Sequence, residues 1–251
     1  MPGEQPQVPA DWFAHSFGRL YPTVYAHRNV ESAAPEAQFA ARQLALTGHD
    51  CVLDLCCGNG RHLVHLCEHV GAAVGLDYSA PLLEMARKTV GNAVGLVRAD
   101  MRAIPFREAF NVVTSFFTSF GYFRSEAENR LVVRGVARAL RPGGRFFIDY
   151  LNSAHVERTL TPESHRRDGE YEITEVRWID SETRRVNKTM RVEQSGEVVW
   201  ETGESVQLYE LDEFITLLES GGLTPDNVFG DHSGVAFDEN QPRMIVVGRR
   251  K

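Results

Sequence analysis

Apolar and polar positions follow two rhythms along this chain, and the change between them divides it. From residue 52 to 150, short apolar runs are each followed by a helical pattern. After Val52 to Leu55, the residues Leu63, Val64, Leu66, Cys67 and Val70 fall at helical spacing. After Ala72 to Leu76 come Leu82, Leu83, Met85, Ala86 and Val90, with Ser79 as an N-cap and Pro81 in the first turn. Ala93 to Val97, Phe110 to Phe116 and Arg145 to Tyr150 read as three further strands. Ser125 and Glu128 have capping-box spacing for a helix to Leu140, which Arg141-Pro142-Gly143-Gly144 would stop. Strand and helix alternating at this cadence predict a parallel sheet covered on both faces.

The rhythm then switches to period two. Residues 170–179, 184–193 and 198–208 alternate in polarity, with Thr183-Arg184-Arg185-Val186 and Ser195-Gly196-Glu197 at the turns, which predicts an antiparallel meander. Helical spacing returns at Leu211, Phe214, Ile215, Leu217 and Leu218, and Met244 to Gly248 reads as the last strand. Three segments follow: 1–152 with N-terminal lid helices and the first part of an α/β domain, 153–208 as an inserted β-meander, and 209–251 completing the α/β domain. Within 11–30, Trp12, Phe13, Phe17, Tyr21 and Tyr25 recur at near-helical intervals. That stripe would pack on the core, or close as a lid presenting Tyr21, Tyr25 or Arg28 to a pocket. A further helix is expected over 35–46.

Composition narrows the partners. With 34 acidic and 27 basic side chains the net charge is −7, which argues against a sequence-independent grip on nucleic acid. No apolar run is long enough to span a membrane, and Met1 to Pro9 lack the basic and apolar parts of a signal peptide. Cys51, Cys56, Cys57 and Cys67 crowd around the first strand without paired CxxC elements, so reduced, buried thiols and a cytoplasmic setting are expected. His62, His65 and His69 share one side of a helix; without an acidic or cysteine partner at fitting spacing they read as a partly exposed face, and no metal site is expected.

The chemistry concentrates at Val52-Leu53-Asp54-Leu55-Cys56-Cys57-Gly58-Asn59-Gly60-Arg61-His62. A strand, a tight glycine turn and a helix start let backbone approach a ligand with helix N–H groups pointing at it. Asp77 ends the second strand, about twenty residues on, where a carboxylate suits ribose hydroxyls. A closely spaced G-x-G-x-x-G is missing, because His62 and Leu63 follow Gly60, which counts against a nicotinamide dehydrogenase.

Four pieces in order, Val52 to Gly60, Gly75-Leu76-Asp77-Tyr78-Ser79, Ala99-Asp100-Met101 and Leu140 to Gly144, resemble the class I S-adenosylmethionine-dependent methyltransferases. The resemblance implies a Rossmann-like seven-stranded α/β sheet flanked by helices, its last strand antiparallel and formed by residues 243–249. It implies that Asp54, Gly58, Asn59 and Gly60 face the methionine part of S-adenosyl-L-methionine; beside this, Arg61 is a candidate partner for the donor's carboxylate, the alternative being a solvated helix-start arginine, and Tyr25 a candidate contact from the lid. Asp77 would hold the ribose, Tyr78 the adenine face, and Asp100 with Met101 the adenine edge, while Phe116 lies near the sulfonium. Two departures stand out: Cys56 replaces the usual first glycine of the turn, and Asn111 replaces the acid that commonly opens the fourth strand.

Thr118-Ser119-Phe120-Gly121-Tyr122 before a helix, together with the β insertion, is similar to small-molecule methyltransferases that dimethylate nucleotide-linked amino sugars. That implies transfer of a methyl group to a small-molecule amine, leaving S-adenosyl-L-homocysteine, with Tyr122 facing the acceptor. Tyr122, Tyr21 and His155 are the candidates for handling the acceptor's proton. Alternatives in the same chemistry are O- or C-methylation, or a macromolecular acceptor; a donor-binding regulatory protein without turnover is the alternative outside it. Free meander edges would allow pairing into a homodimer.

Overall fold

A computed structural model describes residues 7–251; residues 1–6, part of the polar N-terminal lead, lie outside it, as do the side chains of Pro22 and Thr23. The N-terminal stretch forms two single-turn helices, α1 (Phe13–Ser16) and α2 (Tyr21–Val24), where near-helical spacing suggested one continuous helix. Helix α3 (Val30–Gln43) starts earlier than expected, because Asn29 caps it by accepting from Ser32 N–H at 2.8 Å. Pro35 therefore lies inside the helix.

Strands β1 (Cys51–Leu55), β2 (Ala72–Asp77), β3 (Gly95–Arg98), β4 (Phe110–Ser115) and β5 (Leu140–Leu151) are parallel, interleaved with α4 (Leu63–Leu66), α5 (Ala80–Val90) and α6 (Glu126–Ala139). Ser79 caps α5, accepting from Leu82 N–H at 3.2 Å. The capping box expected for α6 does not form: Ser125 makes no side-chain cap, and Glu128 is drawn instead to Arg102 at 2.6 Å. β5 begins at Leu140 rather than Arg145, because Leu140 pairs with Phe110 before a register shift.

After α7 (Ser153–Thr159) the chain leaves the main sheet for β6 (Glu163–Asp168), β7 (Tyr171–Asp180), β8 (Arg185–Gln194) and β9 (Glu197–Gln207). These form a separate antiparallel sheet in chain order, with β6 one strand more than the polarity pattern predicts. The sequence of β6, Glu-Ser-His-Arg-Arg-Asp, carries no apolar residue to mark it. Helix α8 (Leu211–Ser220), β10 (Leu223–Phe229) and β11 (Arg243–Arg250) then complete a seven-stranded sheet of order β10-β11-β5-β4-β1-β2-β3. β11 runs antiparallel to both β5 and β10.

Two hydrophobic layers cover the main sheet. Leu53, Phe110, Phe146, Tyr150 and Phe214 belong to one, and Phe39, Leu44, Val52, Phe147 and Ile245 to the other. The small sheet buries Ile173, Met190 and Val192 against Val24 and Tyr25, so the insertion packs on the N-terminal segment. Strand order reverses at β1 and β4, and the crevice beyond their carboxyl ends is where ligands bind in such sheets.

Candidate active site

The turn after β1 is built by close approach. A Cβ on Gly75 of β2 would stand 2.7 Å from both Cys57 Sγ and Leu63 Cδ2, so glycine there lets the turn lie against the sheet. Cys56 itself adopts φ 60°, the left-handed region where an L side chain costs about 1–2 kcal/mol. Its Sγ sits 3.7 Å from Met101 Sδ, and burial first, then Asp77, Asp54 and Asp100, pushes the thiol well above its usual range. Gly60, at φ 81°, faces away from the crevice; a Cβ there would meet Val90 at 3.2 Å and Ala86 at 3.3 Å.

Beyond the strand ends lies a cavity with an empty volume of about 1040 Å³, its open mouth included. Asp54, Cys56, Gly58, Asn59 and Arg61 line it from the first turn, and Asp77, Tyr78, Asp100 and Met101 from the next two strand ends. Phe116, Phe117, Ser119 and Tyr122 follow β4, while Phe13, Phe17, Tyr21, Tyr25 and Arg28 form the roof. All the sequence candidates are thus brought together except two. Gly60 serves helix packing against α5 rather than the cavity. His155 does not line it either: it sits on α7, its ring at the surface, 3.0 Å from the Asn240 carbonyl oxygen.

The acids divide by environment. Asp77 takes Gly58 N–H on Oδ2 and Ser79 N–H on Oδ1, both at 2.8 Å, yet burial outweighs these bonds and raises its pKa. Asp54 accepts from Thr114 Oγ1 at 2.9 Å, and burial pushes it up to about 7. Asp100, half-buried, is held low by Arg102, whose guanidinium grips both carboxylate oxygens and whose N–H donates to Oδ1 at 2.8 Å.

At the opposite end stand two guanidiniums. Arg28 lies 4.3 Å from the Tyr25 ring centroid and 4.6 Å from that of Phe117, and its Nη1 donates to Tyr21 Oη at 3.2 Å. No carboxylate lies within ion-pair distance of Arg28 among the described residues, and its buried Nε meets no acceptor. Arg61 lies 4.9 Å from Phe117 and shares Glu36 with His62. His62 is not a partly exposed helix residue. It is buried, stacked on Phe116 at 4.1 Å and 6°, and 2.5 Å from Glu36 Oε2; burial lowers it to about 4.

The roof and the loop after β4 are held by contacts from distant parts of the chain. Ser16 Oγ reaches the Gly203 carbonyl at 2.8 Å, Arg166 the Val24 carbonyl at 2.6 Å, and Ser79 Oγ the Phe17 carbonyl at 2.6 Å. Lys188 and Glu204 both bond the Tyr25 hydroxyl. Arg185, buried on β8, donates to the carbonyls of Gly121, Tyr122 and Phe123 at 2.9–3.1 Å. Tyr122 packs between Trp12 and Phe17, and burial raises its phenol far above the usual range. Of these residues, Ser16, Arg166, Lys188, Glu204 and Arg185 carry no signal of this role in the sequence, whereas the aromatic stripe, Ser79 as an N-cap and Tyr122 after the fourth strand do.

Residues 52–144 match the family described as Methyltransferase domain. Over 153 residues the chain is 30% identical to the dTDP-3-amino-3,4,6-trideoxy-alpha-D-glucopyranose N,N-dimethyltransferase of Streptomyces venezuelae, spanning 60% of this chain and 64% of that protein's length. It is 27% identical to the cypemycin N-terminal methyltransferase of a Streptomyces species, over 80% of this chain and 83% of that one. The fold matches the sugar N-methyltransferase KedS8 from Streptoalloteichus, with a TM-score of 0.71 at 22% identity over 100% and 99% of the two chains. The matched domain spans the glycine turn and the strand ends that line the cavity, and the chain covers just under two thirds of the length of the first of these relatives.

Proposed function

We propose that this protein methylates an amine nitrogen on a small molecule, using S-adenosyl-L-methionine as donor, and that an amino sugar linked to a nucleotide is the first acceptor to test. The observation that carries the reading is the cavity's polarity: hydrogen-bond-accepting acids line one end, and a buried guanidinium without a carboxylate partner lies at the other. That layout fits the donor, whose ribose and adenine present donors while its amino-acid end presents a carboxylate. Asp77 would hold the ribose hydroxyls, with Tyr78 on the adenine face. Asp100 and Met101 would meet the adenine edge. Arg28 and Arg61 would meet the carboxylate, and Asp54 the neighbouring positive charge.

When bound, the donor supplies a methyl group on a sulfonium, which leaves as a neutral thioether without acid assistance. The chain's own residues therefore serve alignment and exclusion of water. Phe116, stiffened by stacking on His62, and the roof formed by Phe17, Tyr21 and Tyr25 close the cavity over that centre. Tyr122 offers an oxygen lone pair to an acceptor N–H and so orients it. Because burial keeps the phenols of Tyr122 and Tyr21 neutral, neither is a proton sink. The amine must arrive neutral or give its proton to water.

Amines are favoured over other acceptors by the two relatives above, whose names specify N- or N-terminal methylation. The experiment is incubation with donor and a panel of nucleotide-linked amino sugars, free amines, phenols and peptides, read by mass spectrometry. Gain of one or two methyl groups on an amine supports the reading; methylation confined to phenols overturns it.

A further inference from the structure

Two consecutive residues that are not glycine, Phe117 and Thr118, both hold positive φ, 59° and 63°, directly after β4. Such a pair is costly and persists only where the surroundings fix it. What fixes it lies behind the cavity wall, at Asp149 in β5. Its Oδ2 accepts from Phe117 N–H at 2.9 Å, and its backbone carbonyl accepts from Thr118 N–H at 2.8 Å. Arg243 of β11 donates Nε to Asp149 Oδ1 at 2.6 Å and Nη2 to Thr118 Oγ1 at 2.9 Å. His232 stands 3.5 Å away. Asp149 is almost wholly buried and is not part of the cavity lining.

The turn it holds aims the Phe117 ring into the cavity between Arg28 and Arg61, with Arg243 5.3 Å from the same ring. Ser119 and Tyr122 follow at once and line the same wall. An ordinary β-to-loop exit with negative φ at 117 and 118 would redirect all three side chains. We propose that Asp149 is a positioning residue for methyl transfer, pinning the Phe117–Thr118 turn so that Phe117 faces the two cavity arginines. The proposal rests on the donor-binding role assigned above to that end of the cavity.

The test uses the full chain, with S-adenosyl-L-methionine as calorimetric probe and thermal melting beside it. If the wild type fails to bind, the cavity assignment falls, whatever Asp149 does. Given wild-type binding, Asp149→Asn is expected to weaken it tenfold or more, because the amide places a donor opposite either Phe117 N–H or Arg243. Glycine adopts positive φ without being held. The double variant Asp149→Asn/Thr118→Gly is therefore expected to recover affinity to within about threefold of Thr118→Gly alone. If Asp149→Asn does not fold, that comparison carries the test by itself. Affinity left unchanged by Asp149→Asn, or not recovered in the glycine double variant, overturns the proposal. So does recovery in Asp149→Asn/Arg243→Gln without recovery in the glycine variant, since the carboxylate would then only balance the arginine's charge.

Discussion

Replacing Asp54 with asparagine removes a charge that the free protein holds at a cost. Asp54 is almost fully buried and accepts one hydrogen bond, from Thr114. Its pKa rises from an ordinary 3.8 to about 7, a shift of about three pH units, worth on the order of 4 kcal/mol at 1.36 kcal/mol per unit. The folded state binds a proton more tightly than the unfolded chain, so this group makes stability fall as pH rises from about 4 to about 7, and the loss is complete above that. An asparagine at this position would keep the Thr114 bond with no charge to desolvate. Urea denaturation of both proteins at intervals from pH 4 to 8 reads the difference directly. The variant should match the wild type near pH 4 and exceed it by a few kcal/mol at pH 8. In the same pair, donor affinity of the wild type should rise through pH 7, as the carboxylate ionises to meet positive charge, while that of Asp54→Asn stays low and flat. A stability gap independent of pH, or a variant less stable at pH 8, would refute the argument.

Arg28→Met should weaken donor binding by about 2 kcal/mol, some thirtyfold, without lowering the melting temperature, since no carboxylate is left unpaired; calorimetry and melting check both halves. Gly60→Ala should cost about 2 kcal/mol or more, from positive φ and contact with Val90 and Ala86, and lower the melting temperature by roughly 4–8 °C in a calorimetric scan. Cys56→Gly relieves left-handed strain while losing the contact with Met101, so denaturation should place it within about 1 kcal/mol of the wild type, with donor affinity retained. Tyr122→Phe should lower turnover of the acceptor found by mass spectrometry while leaving donor affinity unchanged. The rate should rise with pH along the acceptor amine's own titration in both proteins; a pH profile altered by the substitution would give the phenol a proton-transfer role that its burial argues against.

The central strands β1, β4, β5 and β11 were legible because they are largely buried and read as apolar runs, and local turn and cap residues mark the elements between them. Ser79 is such a case: its cap spans three residues and needs nothing distant. Ser125 and Glu128 have the same spacing, yet Arg102 of a different segment takes the glutamate. Long-range partners defeat local rules in the same way at His62. Its histidine spacing suggested an exposed face, while Glu36 on α3 waits across the fold. β6 went unread because an edge strand can be polar at every position. The cavity residues from the first turn and the next two strand ends were readable because they follow strand ends in order. The wall after β4 was not, since the loop carrying Tyr122 is held by carbonyl contacts with Arg185 from a different sheet.

This difference between the two halves bears on how the protein would let its product go. The donor brings a sulfonium and an ammonium against one carboxylate; after transfer the sulfonium charge is gone while the ammonium and carboxylate remain. Arg28 and Arg61 would meet the unchanged carboxylate, so they hold donor and product alike. Asp54 and the aromatic faces of Phe116 and Phe117 respond to positive charge, and they lose part of their partner at the moment of reaction. With Asp54 poised near pH 7, loss of that charge shifts it back toward protonation, which weakens product binding further. The ratio of donor to product affinity should therefore be larger at pH 8 than at pH 6 in the wild type, and the same at both in Asp54→Asn. Competition calorimetry with the two ligands measures it, and an unchanged wild-type ratio would remove Asp54 from product release.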